Sequence, residues 1–135
     1  MNHLVDTDWI IDALSGIQSA LAPLEHHAVV GVAVSVITLG ELYEGAYNFP
    51  NPDAHMENLR LFLSGFTVLE LNDAIMQVFG QNRHSLRRQG NLIPDLDLLI
   101  AATALHYDLT LMTRNLRHFA RIPGLRLYRP PRSPS

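Results

Sequence analysis

The sequence predicts a three-layer α/β/α sandwich built around a mainly parallel sheet. Three observations carry that expectation. Short apolar, β-branched runs alternate with longer helical patterns along the chain, as successive βαβ units require. The run at 29–37, "VVGVAVSVI", shows no polar alternation, so its strand is expected to be buried on both faces. The stretch "DLLIAATAL" is apolar on nearly every side, which suits a helix enclosed by other elements.

The elements are expected in this order. "HLV" (3–5) is a first strand ending at Asp6, with a helix from about Asp8. The strand at 29–37 leads into the helix "TLGELYEGAYN", with Thr38 as candidate N-cap and Glu41 three residues on. "NPDAHMENLRLFLSGF" is a further helix, from near Asp53 to a stop at Gly65. "TVLEL" (67–71) is a strand, and an amphipathic helix runs from Asn72 or Asp73 to a stop near Gly90. A buried helix follows from about Asp95 to His106. "LTLMT" (109–113) is a strand, "NLRHFA" a short helix and "GLRLY" (124–128) a last strand. Residues 1–128 are thus expected to form one domain, with "RPPRSPS" (129–135) a disordered, Pro-rich tail.

Composition narrows the function classes. Of 135 residues, 47% are hydrophobic and 17% charged, which fits a globular domain with a real core. Cysteine is absent, which excludes disulfides and thiolate metal sites. Neither a signal peptide nor a transmembrane run is apparent, and a cytoplasmic location is expected. The net charge of −3 is not that of a protein gripping nucleic acid by charge alone. All ten basic residues are arginine, and six of them lie at or after Arg114. No internal repeat or Gly-rich phosphate loop is present; "GELYEG" fits neither the P-loop nor the dinucleotide fingerprint.

The acids carry the chemistry. In open α/β sheets functional groups collect at the carboxyl ends of strands. Asp6 ends the first strand, and Glu41 follows the second. Asp95 and Asp97 open the buried helix, and Asn115 follows the strand at 109–113. Close carboxylates repel one another unless a cation compensates. With no Cys and no His pair at ligand spacing, the cation expected is Mg²⁺ or Mn²⁺ rather than Zn²⁺. Such an ion activates water and clamps a scissile phosphate. Ordinary roles remain open for each residue. Asp6, Asp95 and Asn115 sit where helix caps belong, Glu41 can close a capping box with Thr38, and Asp97 complements a helix dipole. His26 and His27 read as loop residues, His106 and His118 as surface, Glu44 as solvated and Trp9 as packing. The stripe Ile75, Met76, Val78, Phe79 reads as core or dimer surface.

Three blocks carry a family resemblance: "LVDTDWIIDAL", "VSVITLGELYEGA" and "IPDLDLLIAATALHYDLTLMTRNLRHFARIPGLRLY". With them the chain resembles a PIN domain, and specifically the VapC-type ribonuclease toxin of bacterial type II toxin–antitoxin systems. The resemblance spans about residues 3–128; within it, 46–91 match only in the order of elements. It implies a PIN-like fold and a divalent-metal-dependent endoribonuclease with Asp6, Glu41 and Asp97 as catalytic, metal-binding acids. The fourth position, often Asp in the family, is Asn115 here, so Asn115 or Asp95 would complete the metal site. Asp8, Thr7 and Thr113 would support the acids, and Arg83, Arg87, Arg88, Arg114 and Arg117 would line the groove for RNA phosphate. It further implies a homodimer and an antitoxin whose C-terminal segment occupies the groove. Apolar helix positions point to 28–65 or 72–90 for the dimer contact.

Two other readings compete. "HLVDTDW" also resembles the nucleophile motif of haloacid-dehalogenase-like phosphatases, but these normally set a lysine against the phosphoryl charge, and this chain has none. A PIN-like module with a weak or inactive site that only binds RNA or protein is the second. The retained Asp6, Glu41 and Asp97 argue against it.

Overall fold

The computed structural model describes residues 1–130. The chain runs β1 (His3–Val5), α1 (Thr7–Leu14), α2 (Gln18–His27), a 3₁₀ turn (Ala28–Val30), β2 (Val32–Ser35), α3 (Val36–Ala46) and α4 (Pro52–Leu63). It continues through β3 (Thr67–Leu69), α5 (Asp73–Arg88), α6 (Asp95–Tyr107), β4 (Thr110–Met112) and α7 (Leu116–Phe119). The four strands form one sheet in the order β3-β2-β1-β4, with every pairing parallel.

Alternation along the strands divides the core in two. Leu4, Ala33 and Leu111 face one side, where they pack with Leu86, Leu98, Ala101 and Phe119 from α5, α6 and α7. Val5, Val34 and Met112 face the other, with Trp9, Ile10, Leu24, Leu42 and Leu59 from α1 to α4. Both faces of the sheet are therefore covered by helices, and the three-layer expectation holds. The period of two in the side chains and the parallel order are the reason β2 reads as an unbroken apolar run.

The topology places the functional edge. β1 leads by α1 and α2 to β2 on one side, and the chain continues outward to β3. It then returns through α5 and α6 to β4 on the far side of β1. The direction of strand addition thus reverses between β1 and β4. Outside the carboxyl ends of strands at such a switch, loops diverge and open a crevice.

Several expected boundaries move. β2 stops at Ser35, whose hydroxyl accepts from the Ile37 amide and caps α3; Thr38 lies a turn inside the helix and is buried. The segment holding His26 and His27 is helix α2, despite Pro23 inside it, a residue that normally breaks helices. Asp95 is the first helical residue of α6 rather than its cap, because Pro94 holds that position without a side-chain bond. The last strand is reduced to one parallel bridge between Leu111 and Leu127. The helix stop near Gly90 is as expected: Gly90 has φ +65, the left-handed conformation that closes helices. Of the tail at 129–135, residues 131–135 lie outside the described residues.

Candidate active site

Asp6 sits one residue past β1, where its backbone N–H still donates to the Met112 carbonyl at 2.9 Å. Its side chain is buried, with 5% exposure. Oδ1 accepts from the Thr7 amide at 2.8 Å, so Asp6 is the N-cap of α1. Oδ2 accepts from the Thr113 hydroxyl at 2.7 Å. The cap role and a site role thus coexist on the two oxygens of one carboxylate.

Burial, more than anything else, pushes the Asp6 carboxyl up to about 7, and the charge of Asp8 adds to it. The hydrogen bonds from Thr113 and Thr7 pull it back, and Asp97 contributes a smaller upward push. Asp8 is also raised, again by burial first, against hydrogen bonds led by the Arg114 amide. That amide donates to Asp8 Oδ2 at 3.0 Å. The other Asp8 oxygen, Oδ1, is buried with no partner.

The remaining acids join Asp6 through hydroxyls. The Thr7 hydroxyl donates to Glu41 Oε1 at 2.7 Å and lies 3.2 Å from the Thr38 hydroxyl. Thr38 and Glu41 are three residues apart on α3, hence on one helical face. On the other flank, the Asn115 amide N–H donates to Thr113 Oγ1 at 3.0 Å. The Asn115 side-chain nitrogen lies 3.5 Å from Asp97 Oδ2. One continuous polar chain thus runs Glu41, Thr7, Asp6, Thr113, Asn115, Asp97, drawing on α3, β1, β4 and α6. The expected site residues Asp6, Thr7, Asp8, Glu41, Asp97, Thr113 and Asn115 are all brought together.

Others fall elsewhere. Asp95 is exposed and forms an ion pair with Arg83 at 2.8 Å, outside the chain of contacts. Arg114 is held by Asp12 at 3.2 Å and by Ser19, with its guanidinium 4.5 Å above the buried Trp9 ring. Arg87, Arg88 and Arg117 are exposed and form no ion pair among the described residues. A residue that the sequence reading left at the surface belongs here instead: His118 Nδ1 lies 3.1 Å from Asp97 Oδ2 and 2.7 Å from Asn115 Nδ2. The signal for it was its place three residues after Asn115 in "NLRH", one turn on from the residue that caps α7.

The donors suit a hard cation. Buried carboxylates press on one another, and Asp8 Oδ1 has no partner. Among the described residues no three His, Asp or Glu side chains group closely enough to hold a metal among themselves; Thr7 engages Glu41, and Asn115 and His118 engage Asp97. That is compatible with Mg²⁺, which takes one or two carboxylates and fills its remaining positions with water and phosphate oxygens. Beside Glu41 a mostly apolar cavity of about 570 Å³ opens between α1, α3 and α4, lined by Ile11, Leu14, Leu42, Gly45 and Phe49.

Comparison with known proteins bears on this arrangement. A family model for the PIN domain matches residues 3–125. Ribonuclease VapC2 of Haemophilus influenzae is 31% identical over 126 residues, which is 93% of this chain and 96% of that protein. The tRNA(fMet)-specific endonuclease VapC of Salmonella typhimurium is 35% identical over 96 residues, 71% of this chain and 73% of that one. Among solved structures, VapBC2 of Rickettsia felis bound to a promoter DNA fragment contains a chain that superposes with a TM-score of 0.88. Identity is 30%, with 95% of this chain and 98% of that one covered. DNA-bound VapBC of Salmonella typhimurium gives 0.88 at 29% identity, covering 95% and 97%.

Proposed function

The chain belongs to the PIN domain family, and from that premise we propose that it is an endoribonuclease, the toxin of a toxin–antitoxin pair. The observation that carries the reading is the continuous polar chain that joins Glu41, Asp6 and Asp97 around a buried carboxyl at the switch point of the sheet. The relatives named ribonuclease and endonuclease support the reaction class, and the VapBC complexes support an antitoxin partner.

Asp6, Asp97 and Glu41 are the residues that would hold a divalent cation, Mg²⁺ or Mn²⁺, with Asn115 offering a carbonyl oxygen in place of a fourth acid. When bound, such an ion supplies an activated water and a counter-charge for the phosphodiester under attack. The chain's own contribution is orientation. Thr113 fixes one Asp6 oxygen, Thr7 fixes Glu41, and the amide of Arg114 fixes Asp8. Thr7 and Thr113 also keep the acids at a set spacing, so that little reorganisation is needed when charge develops. Of the five arginines expected to line the groove, Arg87, Arg88 and Arg117 are free for RNA phosphate among the described residues, since Arg83 and Arg114 already have carboxylate partners.

The apolar cavity beside Glu41 suits a segment of the antitoxin, which would reach the acids as it fills the groove. A homodimer through the helices of 28–65 or 72–90 and a cytoplasmic location complete the proposal. Among the described residues no helix is long and apolar enough to cross a membrane.

The purified chain should cleave RNA with Mg²⁺ or Mn²⁺ and stop in excess chelator. Asp6→Asn, Asp97→Asn and Glu41→Gln should each lose cleavage while keeping the circular dichroism spectrum of the wild type. Cleavage undiminished by chelator would remove the metal from the mechanism. RNA binding without cleavage, unchanged in all three variants, would support the binding-module reading instead.

A further inference from the structure

The turn between α3 and α4 leaves aromatic surface outside. Phe49 is 49% exposed, although a phenyl side chain is stabilised by burial. It stacks on the His55 ring of α4, with centroids 3.8 Å apart and planes 13° from parallel. Both rings line the cavity beside Glu41. The stack covers one face of each ring, and Phe49 still keeps half of its surface open.

The cavity suits a flat guest with a polar edge. Its walls are apolar where Leu14 and Leu42 line it, and the exposed Asn48 and Asn58 complete the lining. An amide side chain offers donors and an acceptor together, which matches the edge of a nucleobase. Among the described residues no arginine lines the cavity, and Glu41 brings a carboxylate to it. A phosphate is therefore unsuited to this space.

Position selects the guest. Glu41 belongs both to this lining and, through the Thr7 hydroxyl at 2.7 Å, to the chain of acids. RNA held with a phosphodiester at the acids carries a base one sugar away on each side. Single-stranded RNA is read by splaying such bases out and stacking them on Phe, Tyr, Trp or His rings.

We propose that this cavity is a nucleobase subsite, in which an unpaired base next to the scissile phosphate extends the Phe49–His55 stack and sets its edge against Asn48 and Asn58. The inference rests on the endoribonuclease reading above. Contacts to phosphate position a nucleic acid, and contacts to bases specify it. Sequence preference thus lies on the α3–α4 turn and α4, apart from the acids, which act on every phosphodiester alike. The base and the antitoxin segment compete for one space.

The test measures binding of a short single-stranded RNA that carries a fluorescent purine analogue, in excess chelator so that the strand stays whole. Stacking quenches the analogue. The proteins are wild type, Phe49→Ala, Phe49→Trp, Asn58→Ala and, as control, Tyr107→Ala, an exposed aromatic at the opposite end of α6 from Asp97. Wild type, Phe49→Trp and Tyr107→Ala should quench. In Phe49→Ala quenching should vanish and Kd should rise about tenfold. In the metal-activated cleavage assay the same variant should raise KM with kcat little changed, because binding common to ground and transition state is lost. Asn58→Ala should change which of several RNAs differing at one base is cleaved fastest. Every variant should keep the wild-type melting temperature within a few degrees, and its shift on adding Mn²⁺. Wild-type RNA binding and base preference in Phe49→Ala would overturn the subsite and leave the cavity to the antitoxin segment, with the nuclease reading standing. A lower mass for Phe49→Ala in light scattering would overturn it in favour of a contact between copies. Quenching that depends on Phe49 in a wild type that cleaves no RNA would uphold the subsite and remove the nuclease reading alone.

Discussion

Burial and the neighbouring Asp8 hold the Asp6 carboxyl near 7, and this makes the stability of the metal-free protein depend on pH. In the unfolded chain an aspartate titrates near about 3.9, so between about pH 4 and 7 the folded state holds the extra proton. Stability then falls as pH rises through that window, by about 4 kcal/mol at most for this group. Asp6→Asn should match wild type near pH 4 and exceed it near pH 8 when both are unfolded in urea without metal. Wild type should recover stability on adding Mn²⁺, by about 2.7 kcal/mol at a hundredfold excess over Kd, and the variant much less. Thr113 offers a second residue-scale test. Thr113→Val keeps the shape but leaves Asp6 Oδ2 without its 2.7 Å donor. Cleavage should drop, and Thr113→Ser should restore most of it, as measured by kcat at saturating metal.

Among the elements, α3 decides where Glu41 lies. The helix begins at the buried Ser35, whose hydroxyl caps the Ile37 amide at 3.0 Å. A start at Thr38 would have moved that residue out of the helix and away from the Thr7 hydroxyl. Ser35→Ala should therefore cost about 1 kcal/mol in urea unfolding and lower cleavage through a looser Glu41. Short α7 has a comparable role at the other flank, since its N-cap Asn115 and its own His118 both lie beside Asp97. Its position depends on Phe119, fully buried against the α6 face of the core. Phe119→Ala should cost about 3–5 kcal/mol and weaken metal binding together with stability.

At the scale of the whole molecule, the sheet ends at β3, where Val68 is exposed. Nearby elements in sequence leave Leu61 of α4 66% exposed and Met76 of α5 43% exposed. A homodimer through the helices of 28–65 or 72–90 would cover one or the other of these side chains. Light scattering at tens of micromolar should give about twice the monomer mass of 15.1 kDa. Leu61→Asp or Met76→Asp should shift it towards monomer. A monomeric wild type would leave these side chains as isolated surface residues.

The sequence by itself determined the layer order and singled out the acids Asp6, Glu41 and Asp97 that the fold then brings together. Its strands announce themselves as apolar runs, because a parallel strand buried on both faces has no polar side to show, and its acids stand out where those runs end. Helix boundaries were less legible. Val36 and Ile37 read as strand and His26 and His27 as loop, because capping by Ser35 and tertiary contacts override local preference there. The linkages across the chain were legible only in part: the family resemblance pointed to Thr7 and Thr113 beside the acids, but not to which acid each hydroxyl meets. Thr113 meets Asp6 over a separation of 107 residues, and His118 meets Asp97 although its local sequence reads as an ordinary exposed helix. Only the sheet order β3-β2-β1-β4 brings β4 beside β1, and with it those hydroxyl, amide and imidazole groups to the acids. That pairing depends on how two distant strands share backbone hydrogen bonds, which no local pattern encodes.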